Sequence, residues 1–198
     1  MGLDLNYFDG QTPLDEEEKE GLKINTISTR GELDEFEQLG VEKANEWLLG
    51  RKLKVEKILS EEFVKELHKK MFNDVWKWAG EFRKTDKNLG VDWTMIGTEL
   101  RKLIEDCNYW ISNKTFDDDE IAIRFSHRIV SIHPFANGNG RHSRLIADVL
   151  INKGFNKPYF TWGSRNLTKS GEARKKYLNA LREADRLNYS LLIDFARQ

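Results

Sequence analysis

The sequence predicts a mainly α-helical fold carrying one small β-hairpin. Three features point to it. Apolar residues recur near the helical period from Ser28 to the C-terminus. Two predicted helices, 121–132 and 141–153, are apolar on several sides, the pattern of helices buried centrally. One stretch, 82–91, breaks the helical pattern, with Asp86-Lys87-Asn88 between two short extended runs.

Residues 1–23 are polar, with an acidic run from Asp15 to Glu18, and read as a loosely packed arm. From Ser28 onward, Leu33, Phe36, Leu39, Val41, Ala44, Trp47 and Leu48 predict a helix that stops near Gly50. Ser60 is a good N-cap, and Glu61 and Glu62 suit the positive end of the helix that follows. Its apolar stripe runs through Phe63, Leu67, Met71, Phe72, Val75 and Trp76, and Gly80 ends it. His68 reads as a face residue of that helix, and Trp76 and Trp78 as packing. After the hairpin, Ile96, Leu100, Leu103, Ile104 and Trp110 predict a helix to about Asn113. Asp117 to Asp119 then cap the first of the two apolar helices. A last helix over about 171–188 and a short apolar piece, 190–195, complete the chain.

A chain of 198 residues suits one domain with a terminal extension. Apolar residues make up 39% and charged residues 33%, an ordinary folded composition. With 32 basic and 33 acidic residues the net charge is -1, so no direct nucleic-acid binding is expected. No membrane span or leader is expected either. The one cysteine, Cys107, lies among helical apolar residues and reads as a buried structural thiol. A reducing, cytoplasmic setting fits.

The chemistry concentrates in His133-Pro134-Phe135-Ala136-Asn137-Gly138-Asn139-Gly140-Arg141-His142-Ser143-Arg144, between the two buried helices. Pro134 fixes the backbone after His133. Gly138 and Gly140 permit positive φ and close approach of a ligand. Successive amides at a helix start form an anion-binding concavity. Arg141 and Arg144 stand three apart, so both guanidinium groups share one face of the first turn and suit phosphate oxygens. Together they read as a polyphosphate cradle with a histidine at its rim. An imidazole there is suited to take a proton from a hydroxyl nucleophile. The plain alternative for His133 alone is a helix cap followed by a turn.

His-Pro-Phe, two residues, Gly-Asn-Gly-Arg, two residues, Arg resembles the signature of the Fic family. The resemblance covers about residues 55–157, including the flap ahead of the motif. The 28–38 and 177–195 stretches resemble the subgroup called mobile mystery protein B. The family implies a Fic-like helical bundle: an N-terminal arm with an inhibitory helix over 1–54, the Fic core over 55–157, and a helical extension packed on it over 158–198. It implies protein AMP transfer from ATP to a Ser, Thr or Tyr hydroxyl of a target protein, with Mg²⁺ or Mn²⁺. His133 would be the general base. Gly138, Asn139 and Gly140 would form the anion hole, Arg141 would hold the β-phosphate and Arg144 the γ-phosphate. Lys84, Thr85, Asp86 and Asn88 on the flap would dock the target by strand-like pairing. A homodimer or an antitoxin partner fits the family as well.

Asn137 departs from the pattern, since family AMP-transferases carry Asp or Glu there to bind the metal. A neutral amide oxygen lowers metal affinity. That leaves open a catalytically weak nucleotide-binding module, or a toxin-like phospho- or nucleotidyltransferase. The toxin Doc has a lysine within its glycine loop; this chain keeps Gly140, which favours the AMP-transfer orientation. Ser28-Thr29-Arg30-Gly31-Glu32 resembles the first part of the family's inhibitory motif, in which the glutamate pairs with the second motif arginine, here Arg144. Leu33 breaks the last position, and the alternative is a helix start with Ser28 as cap and Glu32 in solvent. A metal site of His127, His133 and His142 is disfavoured by the arginines around His142, and His127 reads as a satisfied core histidine.

Overall fold

The computed structural model describes residues 12–164, 167 and 171–198, all but the first eleven residues of the predicted arm and two short stretches after Ser164. It is helical throughout. The elements are α1 (Glu16–Lys19), α2 (Arg30–Leu49), α3 (Val55–Ile58), α4 (Glu61–Phe72), α5 (Ile96–Asn113), α6 (Asp118–Ile132), α7 (Asn139–Val149), α8 (Glu172–Asp185) and α9 (Ser190–Arg197). One π turn, Leu150–Gly154, extends α7.

Ser60 and Asp117 cap α4 and α6 as the sequence suggests, each accepting an amide of the first turn, whereas α2 is capped by Thr29 and not by Ser28. The helix α7 differs: its N-cap is Gly138 at φ 78°, and no side chain caps it. Helices α6 and α7 form the centre, with Phe125, Ile129, Ile132, Ile146 and Ile151 fully buried. The helices α4 and α5 pack around them, and α2 lies against α4. One core cluster runs from Leu14 to Ala196, so arm, centre and C-terminal helices share it.

Three expectations need correction. The flap is not a hairpin: among the described residues the β pairing is one isolated bridge, Leu22 to Trp76. Residues 82–92 form bends, because the flap's backbone is held by a side chain instead of by a partner strand. The described part of the arm is also well packed, with Thr12 and Leu14 buried. Finally, α2 buries Leu33, Glu37, Gly40, Ala44 and Leu48, while Phe36 and Leu39 face outward. Gly40 fixes that rotation: a Cβ there would sit 2.1 Å from the Met71 carbonyl oxygen of α4. No helix among the described residues is long and apolar enough to cross a membrane.

Candidate active site

The helix α6 ends at His133, whose backbone lies in the left-handed region at φ 55°. A non-glycine residue is strained there, and the surroundings must hold it. Arg83 does so. Its amide donates to the Pro134 carbonyl at 2.9 Å, and its Nε donates to the His133 carbonyl at 2.7 Å. Its two remaining guanidinium nitrogens donate to the Thr85 and Val91 carbonyls. One fully buried arginine therefore ties both limbs of the flap to the backbone of the motif. Gly90 completes the closure: at φ 105°, a Cβ on it would lie 2.6 Å from the His133 Cβ. Of the flap residues expected to dock a target, Lys84 is exposed. Thr85 reaches Asp15, Asp86 accepts the Trp93 amide, and Asn88 lines a cavity beside His133.

The imidazole is oriented by its own helix. His133 Nδ1 lies 3.2 Å from the Val130 carbonyl, which can only accept, so Nδ1 carries the proton. Nε2 then presents a lone pair, and Thr12 Oγ1 lies 2.9 Å from it. Burial, and then the nearby Arg83 and Lys87 charges, push the His133 pKa down to about 4. The ring is thus a neutral proton acceptor at physiological pH.

The loop is built to stay fixed. Asn139 Oδ1 accepts the Phe135 amide and its Nδ2 donates to the Phe135 carbonyl, at 2.9 and 2.7 Å. His68, expected on a helix face, is instead fully buried beneath the loop. It stacks on Phe135 at 3.7 Å between ring centroids, accepts the Gly80 amide and donates to the Asn137 carbonyl. Gly138 lies on Phe72, where a Cβ would come within 2.5 Å of the ring. Gly140 is different, since a Cβ there would meet nothing closer than Arg144 Nη1 at 3.7 Å. The fold does not require that glycine; its bare backbone leaves room beside Arg144.

Arg141 enters the site paired on one side only. Its Nη2 bonds Glu37 of α2 at 2.5 Å, while Nη1 is buried without a hydrogen-bond partner among the described residues. Glu37 is fully buried and also accepts Trp76 Nε1 at 2.6 Å and Asn137 Nδ2 at 3.1 Å. Sequence reasoning missed it. The helix α2 does bring a carboxylate to a motif arginine, but that carboxylate is Glu37 and the arginine is Arg141. Glu32 is spent locally. It accepts the Ser28 and Thr29 amides in a solvent-exposed capping box, so Ser28 and Glu32 do not form the expected brake on Arg144. Arg144 lies over the Tyr177 ring at 5.2 Å.

These groups face one open cavity, lined by His133, the 137–141 loop and Arg144, with Thr12, Arg30 and Arg174. A larger neighbour continues past His133, Gly140 and Arg144 between the flap and Tyr177 and Leu181 of α8. The start of α7, which no side chain caps, and the two motif arginines border the first cavity, so positive charge is concentrated there. The same residues do not make a resident metal site. Asn137 gives its amide to Glu37 and keeps one neutral oxygen, and both Glu37 oxygens are engaged. Among the described residues no group of three His, Cys, Asp or Glu could hold a metal.

Residues 58–151 match the model of the Fic/DOC family. They belong to that family. The Fic segment thus spans α4 to α7 and contains the motif, the flap and Glu37's partner Arg141. A relative from Aedes aegypti, named Protein adenylyltransferase Fic, is 26% identical over 124 residues, covering 60% of this chain and 25% of the relative. One from Drosophila grimshawi with the same name is 30% identical over 90 residues, 43% of this chain and 19% of the relative. The chain therefore spans a quarter or less of the curated relatives it matches. A solved structure of BepC from Bartonella tribocorum with bound AMPPNP superposes with a TM-score of 0.66 at 17% identity, covering 92% of this chain and 97% of that one. That likeness establishes the fold.

Proposed function

We propose that this Fic segment transfers AMP from ATP to a protein hydroxyl. One observation carries the reading: a neutral imidazole lone pair and a buried, half-paired arginine stand at two sides of one cavity, with an uncapped helix start between them. In this reading the triphosphate lies along the 138–141 amides with Arg141 and Arg144 on its outer phosphates, and the nucleoside extends toward Tyr177 and Leu181. His133 Nε2 takes the proton of the incoming hydroxyl. The hydroxyl oxygen attacks the α-phosphorus, the α–β bridging bond breaks, and pyrophosphate leaves. The flap, locked to the motif by Arg83, borders the path of the target. A divalent cation arrives with the nucleotide as part of the substrate, because the protein offers it one neutral oxygen at Asn137. The named adenylyltransferase relatives and the AMPPNP-bound structural neighbour support the choice of an adenine nucleotide.

A second reading is a nucleotide-binding module with weak chemistry. It is favoured by Glu37, which already neutralises part of Arg141, and by the missing carboxylate at position 137. Incubation with ATP labelled at the α or the γ position separates the two. α-Label on protein, lost in His133→Ala, supports transfer. ATP binding without label on any protein supports the second reading, and γ-label overturns both.

A further inference from the structure

The described arm does more than cover the site. Thr12 Oγ1 stands 2.9 Å from His133 Nε2, in the position that a target hydroxyl must take. Thr12 also lines the same cavity as the 137–141 loop and Arg144. With the proton of the ring on Nδ1, the threonine hydroxyl donates its proton to Nε2, so the bond already points along the direction of proton transfer.

The placement is not left to one hydrogen bond. Leu14 is buried in the core. Asp15 and Glu18 clamp the flap lysine Lys87, whose side chain is 5% exposed, and Asp15 also accepts Thr85 Oγ1. Glu18 in turn closes the capping box of α1 on Asp15, and its carbonyl accepts Trp78 Nε1. The segment is therefore tied to the base, to the core and to the flap at three successive points. A purely structural arm needs the second and third ties, but gains little from burying a hydroxyl on the one imidazole that the chemistry requires.

We propose that Thr12 is an acceptor hydroxyl in cis, so that this chain modifies its own arm. The inference rests on the AMP-transfer reading above. His133 Nε2 accepts the proton of Thr12, Oγ1 forms a bond to the α-phosphorus of ATP, and the bond to the β-phosphate oxygen breaks. The products are a Thr12 phosphodiester of AMP and pyrophosphate, and the imidazolium returns its proton to solvent. Holding the hydroxyl on the base makes the step unimolecular and favours it over transfer to a second molecule. A seated Thr12 also keeps other hydroxyls from Nε2, so self-modification comes first.

The test uses the full chain with α-labelled ATP and Mg²⁺ or Mn²⁺, followed by peptide mapping. The label is expected on Thr12, to be lost in Thr12→Val and kept in Thr12→Ser. Lys87→Ala, which frees the arm from the flap, is expected to slow labelling. The first-order rate constant should stay the same on dilution. When the active chain is mixed with a larger tagged His133→Ala copy, label should stay on the active chain. Label at another residue, undiminished label in Thr12→Val, or label appearing on the tagged copy would overturn cis modification and leave AMP transfer standing. No α-label on this chain, on Thr12→Val or on any lysate protein would overturn the transfer reading and this inference with it.

Discussion

Replacing Glu37 by glutamine removes one charge from the centre of the site and changes little in volume. The carboxylate is fully buried and holds three donors: Trp76 Nε1, Asn137 Nδ2 and Arg141 Nη2. Glutamine keeps an oxygen for the first two. Its amide nitrogen then faces Arg141 Nη2, donor against donor, and the guanidinium is left buried with neither branch paired. Breaking a buried ion pair by neutralising one partner costs about 3–5 kcal/mol. In a domain of this size each kcal/mol lowers Tm by roughly 2–4 °C, so Glu37→Gln should lower it by roughly 6–20 °C. A triphosphate would supply the missing counter-charge, so ATP should raise the Tm of the variant by more than it raises that of the native chain. Thermal unfolding with and without ATP reads both effects. A Tm within about 2 °C of the native value, with an unchanged response to ATP, would refute the role given to Glu37 and to the unpaired arginine branch.

Asn137→Asp, which restores the usual family carboxylate, should destabilise this chain, because it sets a second negative charge against Glu37 where an amide now donates. The double variant Glu37→Gln with Asn137→Asp should recover part of the loss; simple additivity in urea unfolding would contradict the coupling. Gly90→Ala should open the flap, since its Cβ would strike His133 at a positive φ, and should lower label transfer as well as Tm; native values of both would show that the flap does not close on the histidine. An NMR titration of His133 in the free chain should give a midpoint near pH 4, because burial and Arg83 hold it there. The folded pKa lies below the unfolded one, so stability is full above about pH 6.5 and falls as pH drops toward 4, by up to about 3 kcal/mol for this residue. His68 and His142 act with the same sign. Asp148, raised to about 7 by burial, acts with the opposite sign as pH rises toward 7. A His133 midpoint near 6.5 would contradict the burial argument.

What the sequence revealed depended on the range of the interaction. Caps, the apolar helices and the motif loop are local patterns, and Ser60, Asp117, Gly138 and the two arginines lie where those patterns put them. The residues missed act across the chain. Glu37 meets Arg141 more than a hundred positions away, Thr12 meets His133 across a similar span, and Arg83 and His68 reach the loop from other elements. One signal for Glu37 was present. It falls on the stripe Leu33, Gly40, Ala44 and Leu48, where an acid among core positions calls for a buried partner. Choosing Phe36 and Leu39 for that stripe hid it. The flap was misread because the turn-like Asp86-Lys87-Asn88 between two short extended runs suggests strand pairing, whereas here the Arg83 side chain holds both limbs through their carbonyls.

The central claim is that His133 serves as the base for nucleotidyl transfer at the 138–144 cradle. The most direct measurement is α-labelled ATP transfer by the native chain beside His133→Ala, with ATP binding to both followed by calorimetry. Label on protein with the native chain, none with the variant, and binding retained by both is the predicted result. Equal labelling by the two proteins would contradict it.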